Sequence, residues 1–288
     1  MPVVITGANG GVGRVLTGML ARQGAQLRVV VRDRSAVPPL RSSGAKVAVT
    51  ELSDTSTLTT VMEGAHTVCH LAGGLDLPDD AAYLEANFET TTDALFAARE
   101  AGIKRFLFLS YPGASPEAPN AYLRAKGLAE EAIRSSGIGH VIIRSTHVYG
   151  PGQRWFEEIR AAANRPFAFV VGDGQQNLAP VFVDDLARVL VAADDRRDPV
   201  SGTFGLQGPD VVTADELTDL LAGRRRRKLH LGMRSLSLLT RAFRGGLSPT
   251  LLEILAADSL ADAPDAAAEF DVPMRSLAQG LEISALVR

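Results

Sequence analysis

The sequence predicts an α/β fold, a doubly wound parallel sheet with a small, mainly helical C-terminal cap. Over residues 1–150, short β-rich runs alternate with longer helical patterns, and a glycine-rich turn follows the first of these runs. Such alternation implies parallel strands covered by helices on both faces, because each crossover returns right-handed. The 288 residues, 46% of them hydrophobic, suffice for one large domain with a smaller appendage.

Apolar runs and helical periodicity locate the individual elements. Strands are expected near residues 3–5, 27–31, 46–49, 67–71, 104–109, 140–143 and 203–206, and helices near 12–23, 55–63, 80–101, 121–136, 155–163 and 183–194. Beyond residue 213 we expect short helices without strand partners. The predicted core is therefore 1–150 with 178–206 returning to it, and the predicted cap is 151–177 and 207–288.

The first predicted strand runs into a glycine-rich turn that opens a helix. Glycines allow a sharp turn, a close approach of backbone N–H groups to a pyrophosphate, and tight seating of the helix on the sheet. The helix N-terminus adds unpaired donors and a partial positive charge. This pattern predicts a Rossmann-type dinucleotide site that includes Gly7, Asn9, Gly10, Gly11, Val12 and Gly13.

Arg32 ends the second predicted strand, 19 residues after Gly13. A binder of NAD would carry an acidic residue there for the ribose 2′-hydroxyl, whereas a guanidinium matches a 2′-phosphate. The sequence therefore favours NADP. Asp33 could still present a carboxylate, so NAD stays possible, and an alternative interpretation makes Arg32, Asp33 and Arg34 a solvated loop.

Ligands of such sheets bind beyond the carboxyl ends of the strands. The residues that directly follow predicted strands are therefore further candidates: Glu51, Leu52, Leu71, Ala72, Gly73, Ser110, Tyr111, Ser145, Thr146 and His147.

Tyr122 and Lys126 begin the helix beyond the fifth strand, and their spacing of four residues places them on one helix face. A nearby ammonium favours phenolate and lowers the pKa of a tyrosine from its usual value of about 10. Such a phenol can exchange a proton with a carbonyl or an alcohol. The pair therefore predicts a proton-transfer site.

Composition narrows the function classes. The net charge of −3 and pI of about 6.0 predict no nucleic-acid or membrane partner. Without a leader or a membrane-spanning run, a cytoplasmic protein is expected. The five histidines lack metal-ligand spacing, so no metal is expected.

Cys69 is expected to pack as a small hydrophobe. The basic run at 224–228 is interpreted as a solvated turn, or else as a docking patch for an anionic substrate tail.

Six ordered motifs resemble the atypical or extended short-chain dehydrogenases/reductases of the NAD(P)-dependent epimerase/dehydratase superfamily, nearest to its NmrA-like and complex I accessory-subunit-like branch. They lie at 6–13, 70–73, 85–91, 122–126, 144–152 and 181–187. The resemblance implies that Tyr122 transfers the proton and that Lys126 holds the nicotinamide ribose. It also implies that Glu51 and Leu52 lie at the adenine, and that Ala72, Gly73 and residues 145–147 lie along the cofactor.

The sequence departs from this family at the end of strand five. Members that perform redox chemistry usually carry a serine there, but Tyr111 takes that place and Ser110 precedes it. Ser110, the Tyr111 hydroxyl and Ser115 are the alternatives for polarising a substrate oxygen, and Ser110 is the expectation. Trp155 and Phe156 line an apolar substrate pocket or, alternatively, form the core of the cap.

The leading functional hypothesis is an NADP-dependent oxidoreductase that acts on a carbonyl or alcohol of a small to medium, fairly apolar substrate. A sugar-nucleotide epimerase or dehydratase is the second hypothesis, and the short segment before Tyr122 counts against it. The third is a non-catalytic NADP(H)-binding redox sensor or structural subunit, which the displaced serine favours and the Tyr122 and Lys126 pair opposes. A monomer or a homodimer is expected.

Overall fold

A computed structural model describes residues 1–195, 200–232 and 247–286, apart from the side chain of residue 154. Its strands are β1 (Val3–Thr6), β2 (Leu27–Val31), β3 (Lys46–Val49), β4 (Thr67–His70), β5 (Arg105–Ser110), β6 (Gly139–Ser145), β7 (Val148–Tyr149), β8 (Ala168–Val171), β9 (Asn177–Leu178), β10 (Val181–Phe182), β11 (Gly202–Leu206), β12 (Val212–Thr213) and β13 (Lys228–Leu231).

The helices within those residues are α1 (Gly11–Arg22), α2 (Val37–Ser42), α3 (Thr55–Met62), α4 (Asp80–Leu84), α5 (Thr90–Glu100), α6 (Ala121–Ser135), α7 (Arg154–Ala163), α8 (Val183–Asp195), α9 (Ala214–Ala222), α10 (Pro249–Ala256), α11 (Ala266–Glu269) and α12 (Leu277–Leu286). None of them is long and apolar enough to cross a bilayer.

The main sheet has seven parallel strands in the order β11-β6-β5-β4-β1-β2-β3. The chain winds outward from β1 in both directions, so the strand order reverses between β1 and β4. The predicted doubly wound α/β sheet is confirmed. In such a sheet the crevice at this reversal, at the carboxyl ends of the strands, is where ligands bind.

Two apolar layers cover the sheet. Successive strand residues point to opposite faces, so Ile5 packs in the layer that contains α1 and α8, whereas Val4 packs in the layer that contains α3, α5 and α6. Both side chains are fully buried. Cys69 also lies buried in the first layer, as its prediction as a small hydrophobe required.

The predicted helix over 80–101 is interrupted. A π-helical turn, Glu85–Glu89, separates α4 from α5. Its buried Asn87 donates through Nδ2 to the Gly74 carbonyl at 3.0 Å and accepts from the Gly74 N–H at 3.2 Å. The inserted residue of a π turn reorients one side chain locally, and here the reoriented amide fixes the loop after β4.

The cap differs from its prediction. The expectation of no strand partners beyond residue 213 is wrong, because β13 pairs with β8. Thr213 itself ends β12, which pairs with β9. Strand β13 is short and follows an arginine-rich turn, and its partner β8 is distant in sequence, so no local pattern predicted it. In addition, Ala266, Phe270 and Val272 pack in the main core, so the predicted cap region of 207–288 does not form one separate layer.

A buried carboxylate joins α6 to the ends of β5 and β6. Glu130 is fully buried and accepts hydrogen bonds from Ser110 Oγ at 2.6 Å, Arg144 Nη2 at 2.7 Å and Arg134 Nη1 at 3.0 Å. Arg144 also contacts Asp262 at 2.9 Å. These contacts therefore tie α6 to the carboxyl ends of β5 and β6.

We expect Glu130→Ala to lower the free energy of unfolding by about 3 kcal/mol, because it leaves two guanidinium groups and a serine without their shared acceptor. Urea denaturation monitored by circular dichroism measures this change. The exposed neighbour Glu131 provides the control, since Glu131→Ala should change stability by less than about 0.5 kcal/mol. Equal effects of the two substitutions would contradict a stabilising role for the buried cluster.

Candidate functional site

The glycine-rich turn brings α1 against the sheet edge. Gly7 adopts a φ of 69°, and a Cβ there would lie 2.7 Å from the Leu71 carbonyl oxygen and the Ala72 nitrogen. A Cβ on Gly13 would overlap the backbone of Gly7 and Ala8. Only glycine fits either position, so the turn sits in contact with the exit of β4.

The N-terminus of α1 presents donors suited to an anion. No side chain caps this helix and its first turn holds no acidic residue. The carboxamide of Gln153, which is 7% exposed, packs where a Cβ of Gly11 would be, and its Nε2 is buried without a hydrogen-bond partner among the described residues. An unpaired buried donor beside a helix N-terminus fits the pyrophosphate of a dinucleotide.

A groove of about 700 Å³ runs from this turn over the ends of β1, β2 and β4. Nine of the residues that the sequence predicts for the cofactor line it together: Gly7, Asn9, Gly10, Arg32, Glu51, Leu52, Leu71, Ala72 and Gly73. Gly11, Val12 and Gly13 begin α1 beside it.

Arg32 and Asp33 differ in what their side chains do. Arg32 is exposed and lines the groove. The Asp33 carboxylate instead accepts hydrogen bonds from the N–H of Ser35 at 2.8 Å and from its hydroxyl at 2.5 Å, and these bonds lower the pKa of Asp33. Both residues line the groove, but the carboxylate of Asp33 is engaged in capping the following turn.

Asn120 starts the helix that carries the predicted proton-transfer pair, because its side chain accepts from the N–H groups of Tyr122 and Leu123. The Lys126 ammonium donates to the Leu109 carbonyl at 2.9 Å and lies 4.6 Å above the centre of the Phe108 ring. Burial lowers the pKa of Lys126 to about 8. Its proton is therefore lost more readily than that of an exposed lysine.

The Tyr122 side chain shares the buried face of α6 with Lys126, but the ammonium lies 5.8 Å from the Tyr122 ring centre and is directed at the Leu109 carbonyl. Burial and the neighbouring Tyr111 and Tyr83 rings raise the pKa of Tyr122. The expectation that Lys126 lowers this pKa is wrong here, because desolvation of the phenol dominates. None of the described residues hydrogen-bonds the Tyr122 hydroxyl.

The hydroxyl groups near strand five are engaged elsewhere. Ser110 donates to Glu130, and Ser115 donates to Glu117 at 2.6 Å. The Tyr111 ring lies 6.0 Å from the Tyr122 ring, and its hydroxyl bonds with Ser259 Oγ at 2.8 Å. Strand alternation thus places Tyr111 beside Tyr122 and turns Ser110, the expected polarising residue, toward the buried carboxylate.

At the end of β6, the hydroxyl groups of Ser145 and Thr146 bind the backbone, and the ring of His147 lies beside other aromatic rings of the candidate site. Ser145 and Thr146 donate to the backbone carbonyls of Thr146 and Ala179. His147 lies within hydrogen-bond distance of the Tyr111 hydroxyl, at 3.2 Å, and its ring is 5.1 Å from that of Trp155. Burial lowers the pKa of His147 to about 4, so the imidazole is neutral at pH 7.

Phe156 is 1% exposed and packs in the cap core with Tyr149 and Phe182. This is the second of the two roles considered for Phe156, a core residue of the cap.

Sequence reasoning did not identify Gln153 or Ser259. The turn at 150–152 that follows β7 marks Gln153 as a residue near the strand ends, whereas Ser259 carries no local signal.

Comparison with known proteins shows the family to which this chain belongs. The NAD(P)H-binding family matches residues 7–193. Mitochondrial NADH dehydrogenase (ubiquinone) 1 alpha subcomplex subunit 9 of Arabidopsis thaliana is 31% identical over 228 residues, which are 75% of this chain and 56% of that protein. A ceramide reductase of Caulobacter vibrioides is 31% identical over 204 residues, 71% of this chain and 63% of the reductase. The chain thus covers less than two thirds of either relative.

A solved structure of UDP-glucuronic acid 4-epimerase from Bacillus cereus, in complex with UDP-glucuronic acid and NAD, superposes with a TM-score of 0.77 at 20% identity, covering 99% of this chain and 98% of the epimerase. At that identity the likeness establishes a shared fold. With a family match over residues 7–193, which include the glycine turn, the residues that line the groove and the Tyr122 and Lys126 pair, the chain belongs to the NAD(P)H-binding family.

Proposed function

We propose that this protein is an NADP-dependent oxidoreductase that acts on a carbonyl or alcohol of a small to medium, fairly apolar substrate. One observation carries the proposal. The Tyr122 hydroxyl, to which no described residue hydrogen-bonds, lies on the same buried helix face as the Lys126 ammonium. Lys126 Nζ lies 3.5 Å from the position of a Cβ on Gly73, a residue that lines the groove, so the pair adjoins that groove.

The residues divide the work as follows. Backbone donors of α1 and the Gln153 amide would hold the pyrophosphate, and Arg32 would hold a 2′-phosphate. When bound, NADPH would supply the hydride. Tyr122 gives the proton to the substrate oxygen, and the charged Lys126 stabilises the phenolate that this step leaves, which offsets the desolvation that otherwise raises the pKa of Tyr122. Ser110 has a supporting role, because its hydroxyl bonds Glu130.

A non-catalytic NADP(H)-binding protein is the second candidate. The engaged hydroxyls of Ser110, Tyr111 and Ser115 favour it, because Tyr122 alone is then left to polarise a substrate carbonyl. A relative named as a subunit of NADH dehydrogenase points the same way. Turnover distinguishes the two candidates.

We expect Arg32→Ala to remove a preference for NADPH over NADH of roughly 10- to 100-fold, since charge-assisted hydrogen bonds to a phosphate contribute about 1.5–3 kcal/mol. Fluorescence titration of both cofactors with both proteins measures the preference. Arg34→Ala, a second exposed arginine two residues away, is the control and should keep it. Equal affinities of the unaltered protein for the two cofactors would refute the assignment to NADP.

Gln153→Ala should weaken NADPH binding by about 3- to 10-fold, because one hydrogen bond to the pyrophosphate is lost. Adenosine 2′-monophosphate lacks the pyrophosphate, so its affinity should stay unchanged. Gly11→Ala should weaken NADPH binding by displacing Gln153, yet have little further effect when Gln153 is already alanine. Additive effects of the two substitutions would show that Gln153 does not act at this helix end.

Tyr122→Phe should bind NADPH nearly as well as the unaltered protein but reduce ketone-dependent NADPH oxidation by roughly 10²- to 10⁴-fold, the usual contribution of positioned general acid catalysis. The matched control is Tyr111→Phe, which keeps a ring beside Tyr122 and should reduce turnover far less. A protein that binds NADPH but oxidises none of a panel of cyclic and aromatic ketones would support the non-catalytic candidate instead.

NADPH affinity should fall as the pH rises above about 8. The buried Lys126 has a lowered pKa of about 8, so it is charged below that pH and loses the charge that attracts the cofactor above it. The dissociation constant should increase by up to about tenfold per pH unit above the midpoint. Lys126→Met should abolish this dependence, and the exposed Lys104→Met should keep it; an unchanged profile in Lys126→Met would contradict the role of this ammonium.

A further inference from the structure

The cap carries a small sheet with an open outer face. Strands β8 and β13 pair in parallel, with Phe169 opposite Leu229, and these side chains are 45% and 49% exposed. Phe167, directly before β8, is 57% exposed. Three large apolar side chains are thus presented to solvent side by side, which is unusual for a small surface region.

On the inner face of the same sheet, the side chains of β8 are buried. Ala168 and Val170 alternate with the exposed residues and are 0% and 5% exposed. Helices α7, α9 and α10 contact β8. Strand β8 therefore packs through its inner side, whereas Phe167, Phe169 and Leu229 lie on the outer side.

Arginine side chains flank one end of this face. Arg224, Arg225 and Arg227 are exposed in the turn before β13 and make no ion pair with a described residue. Alternation places Arg227 on the same side of its strand as Leu229. The cation of the inner side, Lys228, is by contrast paired with Asp219 at 2.7 Å. The unpaired positive charge is therefore concentrated beside the apolar side chains.

We propose that this face, composed of Phe167, Phe169, Leu229, Arg224, Arg225 and Arg227, docks on the surface of an anionic lipid membrane. Aromatic and aliphatic side chains enter the interfacial region while the arginines contact the lipid phosphates. An anionic lipid surface matches both the apolar side chains and the arginines of this face. Nucleic acid matches it less well, because Leu229 offers the bases neither stacking nor a hydrogen bond.

This inference goes beyond the proposed function and differs from the expectation of no membrane partner. That expectation came from the net charge of −3, which averages over the whole chain. Attraction to an anionic surface decays within a Debye length of about 8 Å at physiological ionic strength. A local cluster of arginines therefore decides surface binding even when the total charge is negative.

Co-sedimentation with sucrose-loaded vesicles tests the proposal with the full chain. We expect binding to vesicles of phosphatidylcholine with phosphatidylglycerol and little binding to pure phosphatidylcholine. Changing Arg224, Arg225 and Arg227 together to glutamine should weaken binding at least tenfold, as should 0.5 M NaCl, and Phe167→Ser with Leu229→Ser should weaken it at least fivefold. NADPH titration of each variant reports whether the fold and the cofactor site are intact.

Phe96→Ser with Arg99→Gln is the matched control, because Phe96 is also 57% exposed but lies on α5. This variant should bind vesicles like the unaltered protein. The proposal is overturned by absence of binding to anionic vesicles, by equal loss in control and face variants, or by binding of a fluorescein-labelled oligonucleotide through this face without vesicle binding. Each outcome can occur whether or not the protein binds NADPH, so it is separable from failure of the proposed function.

Discussion

The close contact between the turn after β1 and the exit of β4 is the constraint on which the site depends. Gly7 in its left-handed conformation and Gly13 against the backbone of the turn let α1 begin directly at the carboxyl edge of the sheet. The N-terminus of α1 then lies beside the groove that Gly10, Arg32 and Gly73 line. Side chains at either glycine would move the helix away, and the anion site would be lost with it.

Desolvation sets the proton affinities of the Tyr122 and Lys126 pair. The same burial that lowers the pKa of Lys126 raises the pKa of Tyr122, so in this structure each group is pushed toward its neutral form. A proton can pass from the phenol to a substrate oxygen only where a positive charge stabilises the product anion. The Lys126 ammonium lies 5.8 Å from the centre of the Tyr122 ring. Bound cofactor and substrate therefore have to connect these two groups for the proton to be transferred.

Local sequence signals predicted much of this arrangement and missed what depends on distant contacts. The glycine spacing, the alternation of strands and helices and the four-residue spacing of Tyr122 and Lys126 are local patterns, and the structure places them as expected. The direction of Ser110 depends on Glu130, a residue of the next helix, and the pKa of Tyr122 depends on rings from other segments. Gln153 reaches Gly11 from the cap, a contact that no local pattern encodes.

A crystal structure of the NADPH complex tests the central claim most directly. We expect the pyrophosphate at the N-terminus of α1 and beside Gln153, the 2′-phosphate at Arg32, and the nicotinamide C4 facing a space that the Tyr122 hydroxyl can reach through one substrate oxygen. A nicotinamide turned away from Tyr122, or a 2′-phosphate remote from Arg32, would contradict it.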